Sequence, residues 1–268
     1  MNGGRLLRGL FFGLCLLVLL APLVVVAAVS VNERKRLLFP PEGFSLAWYG
    51  EMLGSSGWLD PIGTSLLIAF CSAFVSLSVA LPLAYALWRR RILYARMLYG
   101  LGLAPFVLPP VISALGFLIF WSWAGLGGRI ETVIVSHGIF VVTLPLVTIS
   151  LGLETIDRAV FEAAGTLGAD QRTVFRTILL PLIVPYVLSG YAFAFVLSLN
   201  EYIIAYMVAG FTVETLPIKI FNSLRYGYTP VMAAVSVLFV VLAAVVFGLI
   251  ARFGDLPRLL GAWAPERR

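Results

Sequence analysis

Six runs of about twenty predominantly apolar residues, near 10–31, 64–87, 101–123, 132–153, 182–207 and 231–250, decide what this chain can become. A helix needs about that length to cross the ~30 Å hydrocarbon layer, and a helix satisfies every backbone group within its own segment. With 61% hydrophobic and 12% charged residues and a mean hydropathy of +1.01, the 268-residue chain carries more apolar surface than a soluble core takes up. The expected fold is an all-α membrane protein of six transmembrane helices. The first run follows Arg5 and Arg8, as a cleavable leader would, but it is too long for one and holds Pro22, so it is read as a span.

Basic residues stay preferentially on the cytoplasmic side during insertion, so their distribution orients the helices. Six spans return both termini to one face, which then carries Arg5, Arg8, Arg89, Arg90, Arg91, Arg96, Arg158, Arg172, Arg176, Arg252, Arg258, Arg267 and Arg268. The opposite face holds Arg34, Lys35, Arg36, Arg129, Lys219 and Arg225. Both termini are therefore placed in the cytoplasm. The net charge of +6 follows from topology and from anionic lipid heads, and calls for no nucleic-acid partner.

Between the first two spans, residues 45–53 with Trp48 and Tyr49 read as a short helix, capped by Ser45, lying on the outer membrane surface. In the third run Pro105, Pro109 and Pro110 each remove a backbone donor, which predicts a kinked or unwound helix sitting among neighbours inside the bundle. The stretch 212–229 reads as a long outer loop with the ring-rich Tyr226-Gly227-Tyr228. The chain thus divides into 1–60, the first helix and an external interfacial segment; 61–252, a five-helix core holding a cytoplasmic loop at 154–181; and 253–268, a cytoplasmic tail.

That loop is the most patterned polar stretch. Val160, Ala163, Ala164 and Leu167 recur at i, i+3, i+4 and i+7, which predicts a short helix with one narrow face of small apolar groups. Asp157 is placed to cap its start, Gly168 to end it in the left-handed conformation, and Asp170 to cap a second helix running toward Pro181. Glu162 lies off the apolar face, within reach of Arg158, Arg172 or Arg176. Pro181 and Pro185 fit a helix's first turn and fix the entry into span five.

The order Glu162-Ala163-Ala164, Gly168, Ile178, Leu180-Pro181 resembles, without departure, the coupling motif in permease subunits of bacterial ABC importers. The resemblance implies a type I importer permease fold whose loop fits a cleft in an ATP-hydrolysing subunit. It further implies a second, unlike permease, a dimeric ATP-binding subunit and an external solute-binding protein, with ATP and Mg in the partner and no cofactor bound by this chain. Trp48-Tyr49, Ser136-His137, Ser198-Leu199-Asn200-Glu201 and the run Thr215 to Ile220 extend the likeness to the polyamine subgroup, which implies a solute such as spermidine or putrescine. Asn200 departs from that pattern, standing where an acidic neighbour is expected.

Glu201 is the one intramembrane carboxylate singled out. A charged group in mid-span costs about 2.5–3.5 kcal/mol on insertion scales, so it should face a wet path or a partner. The substrate path is accordingly placed at Ser198, Asn200, Glu201, Tyr202 and Trp121; beside aromatic rings, Glu201 suits an organic cation, and a structural bond to a partner subunit is the other reading. His137 is expected to hydrogen-bond a neighbouring helix, since a lone imidazole makes no metal site. Cys15 and Cys71 fall within spans as ordinary thiols.

The chain carries no Gly-x-x-x-x-Gly-Lys phosphate loop, no metal-ligand cluster and no nucleophile triad, so it is expected not to be an enzyme. Its free energy then comes from a partner. Three alternatives stand beside a polyamine permease: an ABC permease for another small solute, amino-acid-like, metal-chelate or phosphonate; a proton-driven secondary transporter using Glu201 and His137; and a structural assembly subunit with no pore of its own. The second lacks the internal repeat such folds show.

Overall fold

A computed structural model of the protein describes residues 3–89, 94–226 and 229–253. Among these residues every regular element is helical: α1 (Gly3–Ser30), α2 (Ala47–Gly54), α3 (Ser56–Arg89), α4 (Ala95–Val107), α5 (Pro110–Trp123), α6 (Ile130–Phe140), α7 (Thr143–Glu154), α8 (Arg158–Thr166), α9 (Gln171–Val174), a π-helical turn (Phe175–Leu179), α10 (Leu180–Asn200), α11 (Ile203–Ala209), α12 (Leu216–Tyr226) and α13 (Val231–Phe253). Four helices are long and apolar enough to cross a membrane, and six spans result if α4–α5 and α6–α7 each count as one bent crossing. The tail beyond Phe253, and Arg90 and Arg91 among the basic residues that orient the helices, lie outside the described residues.

Contacts divide the chain into two units, Met1–Pro61 with Lys219–Ala244, and Ile62–Ile218 with Val245–Arg268. In the first, α1 buries none of its apolar window within the chain, as a helix facing lipid can afford. The segment after it is gathered around the buried Asn32. Its Oδ1 accepts the Glu42 N–H (3.0 Å), and its Nδ2 donates to the Arg36 carbonyl (3.1 Å). Trp48, expected in the headgroup zone, is buried instead and donates its indole N–H to the Asn32 carbonyl at 2.6 Å. It wedges the entry of α2 against the loop. Ser45 Oγ does accept the Ala47 N–H (3.1 Å), where the helix begins.

The second run starts earlier than its hydropathy suggests, because α3 continues back to Ser56. The expected loop 212–229 is also corrected, since α12 occupies Leu216–Tyr226. Pro217, at its second position, loses no hydrogen bond there. Gly227 and Tyr228 lie outside the described residues.

In the second unit, prolines set the bends. Leu108 and Pro109 are extended, and α4 meets α5 at 105°. The pair does not sit inside its unit as expected: Val107, Ile112 and Ile119 are exposed, and Ala114 alone of α5 is buried. The milder 41° bend between α6 and α7 falls at Val141–Val142. Pro145 cannot bond the Val141 carbonyl, which takes the Leu144 N–H instead (3.2 Å).

α7 and α10 approach closely through small residues. A Cβ on Gly190 would stand 2.6 Å from Pro145 Cα and 2.5 Å from Thr148 Oγ1, so only glycine fits. Two larger apolar clusters lie in the unit. One gathers Ile68, Ala114, Val133, Ala194, Ile204 and Val208; the other gathers Ala84, Leu146, Ile149, Leu153, Leu179 and Ile183.

Candidate functional site

The loop 154–181 folds as a helical elbow. Asp157 Oδ1 accepts the Ala159 N–H (2.9 Å) and starts α8. The Ala169 N–H returns to the Ala164 carbonyl (3.0 Å) and the Gly168 N–H to the Gly165 carbonyl (3.0 Å), a Schellman closure that requires Gly168 at φ +80°. Asp170 Oδ1 then accepts the Thr173 N–H (2.9 Å) and starts α9. The Thr173 hydroxyl, and next its amide, hold the Asp170 carboxyl below its ordinary range.

The apolar face of α8 is split between two duties. Leu167 is 88% exposed, Val160 and Ala163 are exposed beside it at i and i+3, and Ala164 is turned inward at 8%. The exposed apolar stripe is thus Val160-Ala163-Leu167, and Ala164 leaves the face on which it was expected. Holding the elbow is a chain of rings that the sequence did not single out. Phe161 meets Trp88 edge-on at 5.3 Å, Trp88 lies 6.2 Å from Tyr85, and Tyr85 meets Phe175 edge-on at 5.6 Å. Each such pair contributes about 0.5–1.5 kcal/mol beyond area burial. The Arg158 and Glu162 side chains, and so the ion pairs expected of them, lie outside the described residues.

The second helix of the elbow does not stop at Pro181. Gln171–Asn200 is one uninterrupted helix of 30 residues. Pro181 in mid-helix would clash with the carbonyl one turn back, and the π-helical turn widens the helix just before it, with the Leu180 N–H reaching the Phe175 carbonyl. Ile178 and Leu180 are half-buried and Pro181 exposed along this run.

Span five breaks at its polar end. The expected helix to 207 ends at Asn200, and Glu201 caps the short α11 that follows. Glu201 Oε1 accepts from the Ile203 and Ile204 amides (3.0 and 3.1 Å), and Oε2 from Ile204 and Ala205 (2.9 and 3.2 Å). The residue is 9% exposed. His137 of α6 stands beside it, with Nε2 3.2 Å from Oε2 but out of line for a hydrogen bond, while Nδ1 pairs with Ser198 Oγ at 2.9 Å. The expected bond from His137 to a neighbouring helix is present, and Glu201 and Ser198 are both buried within the chain.

The other path candidates diverge. Trp121 donates to Ser136 Oγ (2.8 Å). Asn200 is exposed, its Nδ2 donating back to the Val196 carbonyl (2.8 Å). Tyr202 is half-buried and stacked on Tyr206 at 5.3 Å. Among the described residues no group of three metal-ligating side chains forms.

Comparison with known proteins gives a consistent answer. Residues 72–255 match the family described as binding-protein-dependent transport system inner membrane component. The chain is 34% identical over 262 residues to the putrescine transport system permease protein PotI of Escherichia coli (strain K12), covering 93% of this chain and 89% of that one. It is 29% identical over 242 residues to the spermidine/putrescine transport system permease protein PotC of the same strain, covering 90% and 91%. A chain from the crystal structure of a bacterial ABC transporter involved in the import of the acidic polysaccharide alginate superposes with a TM-score of 0.67 at 17% identity, over 93% of this chain and 95% of that one.

Proposed function

Because this chain belongs to the inner-membrane components of binding-protein-dependent transport systems, we propose that it conducts a polyamine-like organic cation and is driven through the elbow 154–181 by a separate ATPase. As a permease subunit of an ABC importer it resides in the inner membrane, passes it several times and performs no catalysis. The observation that carries the coupling is the apolar stripe Val160-Ala163-Leu167, left uncovered on a helix whose other side is anchored by Phe161. The polyamine reading is supported by the likeness to PotI and PotC along nearly the whole chain.

In this reading both termini and the elbow are cytoplasmic, ATP and Mg are held by the partner, and a second permease and an external solute-binding protein complete the importer. Closure of the ATPase draws the elbow along, and α10 carries that motion into the membrane. Glu201 acts by fixing the break in span five, so that Asn200 and Tyr202 rather than its own carboxylate border the path. The test is uptake of labelled putrescine and spermidine by vesicles holding the assembled importer. Uptake should need ATP and the external binding protein and should ignore collapse of the proton gradient. Uptake by this chain alone, or uptake that follows the proton gradient, overturns the reading.

A further inference from the structure

α10 and α13 leave a gap where they run together. Pro185, Leu188 and Ala192 on one side and Val246, Leu249 and Ile250 on the other line a half-open hollow of about 190 Å³. The small residues Pro185, Ser189 and Ala192, spaced at i, i+4 and i+7, leave the volume unfilled. Tyr186 and Phe247 pack against Ala192 and Ile250 of this lining, Phe247 lying 5.2 Å from Phe193. The one hydroxyl at the hollow, on Ser189, is already given to the Pro185 carbonyl (2.7 Å). The lining therefore offers an entrant no free polar group, and its size is a little above the ~150 Å³ of a cavity that holds benzene.

Position narrows the occupant further. Both helices are membrane-crossing by length and composition, and the hollow lies on the segment of α10 nearest the elbow and the last turns of α13. Leu188 and Leu249, at its open side, are 56% and 53% exposed. Arg252 follows Leu249 by three residues, within about 60° of it around the helix, and is exposed; Arg176 is exposed on the π-helical turn of the same α10 rod. An apolar slot inside the bilayer, with guanidinium groups where its two helices leave it, suits a molecule with an acyl tail and a negative head.

We infer that this hollow binds one acyl chain of an anionic phospholipid from the leaflet on the elbow's side, with the phosphate drawn to Arg252. The lipid braces the helix that begins at the elbow. The inference does not depend on which solute is carried.

The test uses the assembled importer, exchanged into detergent, incubated with equal phosphatidylglycerol and phosphatidylcholine, and weighed by native mass spectrometry. The wild type should retain phosphatidylglycerol in preference. Leu249→Trp, which puts an indole across the opening, should lose the bound lipid while the complex keeps its mass. Arg252→Gln should keep lipid but lower the preference about fivefold, the factor that matches about 1 kcal/mol for one basic residue at a membrane surface. Equal retention of both lipids by the wild type, or unchanged retention by Leu249→Trp, overturns the assignment. If Leu249→Trp does not assemble, a photocrosslinker at position 188 decides alone: an adduct of lipid mass supports the site, and an adduct to a companion protein refutes it.

Discussion

Leu167→Ala separates docking from folding. In the chain itself Leu167 is 88% exposed, so its folding contribution is close to nil. If the residue seats in a partner's groove, the substitution removes three carbon groups from a contact formed only on assembly. At about 0.8 kcal/mol per buried methylene, scaled by the exposed fraction, the loss is about 2 kcal/mol, or roughly thirtyfold in affinity. The assay titrates the ATP-binding subunit into vesicles holding the remaining importer and reads solute-stimulated ATP turnover. The half-saturating concentration should rise by that factor, while the melting temperature of the permease stays unchanged. Phe161→Ala should behave oppositely, loosening the permease itself, because that ring is spent on Trp88. An unaltered titration with Leu167→Ala, or a fall in permease stability of the same size, refutes the docking stripe.

Other expectations follow from single contacts. Gly168→Ala has open space for its Cβ but must hold φ near +80°, so it should weaken the elbow turn by about 1–2 kcal/mol, read as faster amide exchange at Ala169. Glu201→Ala strands the buried amides of Ile204 and Ala205 and should destabilise by about 1–3 kcal/mol for each, whereas Glu201→Gln, whose carbonyl oxygen replaces only one of the two accepting oxygens, should fall between that variant and the wild type in thermal unfolding. Gly190→Ala overpacks α10 against Pro145 and should cost about 1–3 kcal/mol in the same measurement. The Asp170 carboxyl is held below its ordinary 3.8, so its cap is fully formed above that value and is lost only as pH falls through the lowered one; protection of the Thr173 amide should therefore outlast the ordinary carboxylate range in an acid titration.

What could be read beforehand was whatever a few neighbouring residues decide. Asp157, Gly168 and Asp170 each act on backbone groups two to five positions away, so the elbow's caps and turn stand plainly in the chain. Pro109-Pro110 likewise announces the sharp bend. The ring chain Phe161, Trp88, Tyr85 and Phe175 was hidden, since it joins residues far apart in sequence through contacts that only packing creates. The capping role of Glu201 was hidden for a different reason. In a hydropathy profile an acid inside an apolar run is an isolated charge in need of a partner from elsewhere, yet a break after Asn200 supplies four local contacts from the chain's own amides. The available clue was the polar pair Asn200-Glu201, which suits a helix end better than its middle.

The length of the single helix Gln171–Asn200 has a geometric effect. Thirty residues at 1.5 Å each span about 45 Å, so a 10° tilt at the end nearest the elbow would swing the opposite tip by about 8 Å. That sweep exceeds the radius of a side chain, and it arrives where Asn200 and Tyr202 flank the interruption. On the proposed coupling through the elbow, a small rocking at one end of this helix would be magnified into a larger displacement at the other.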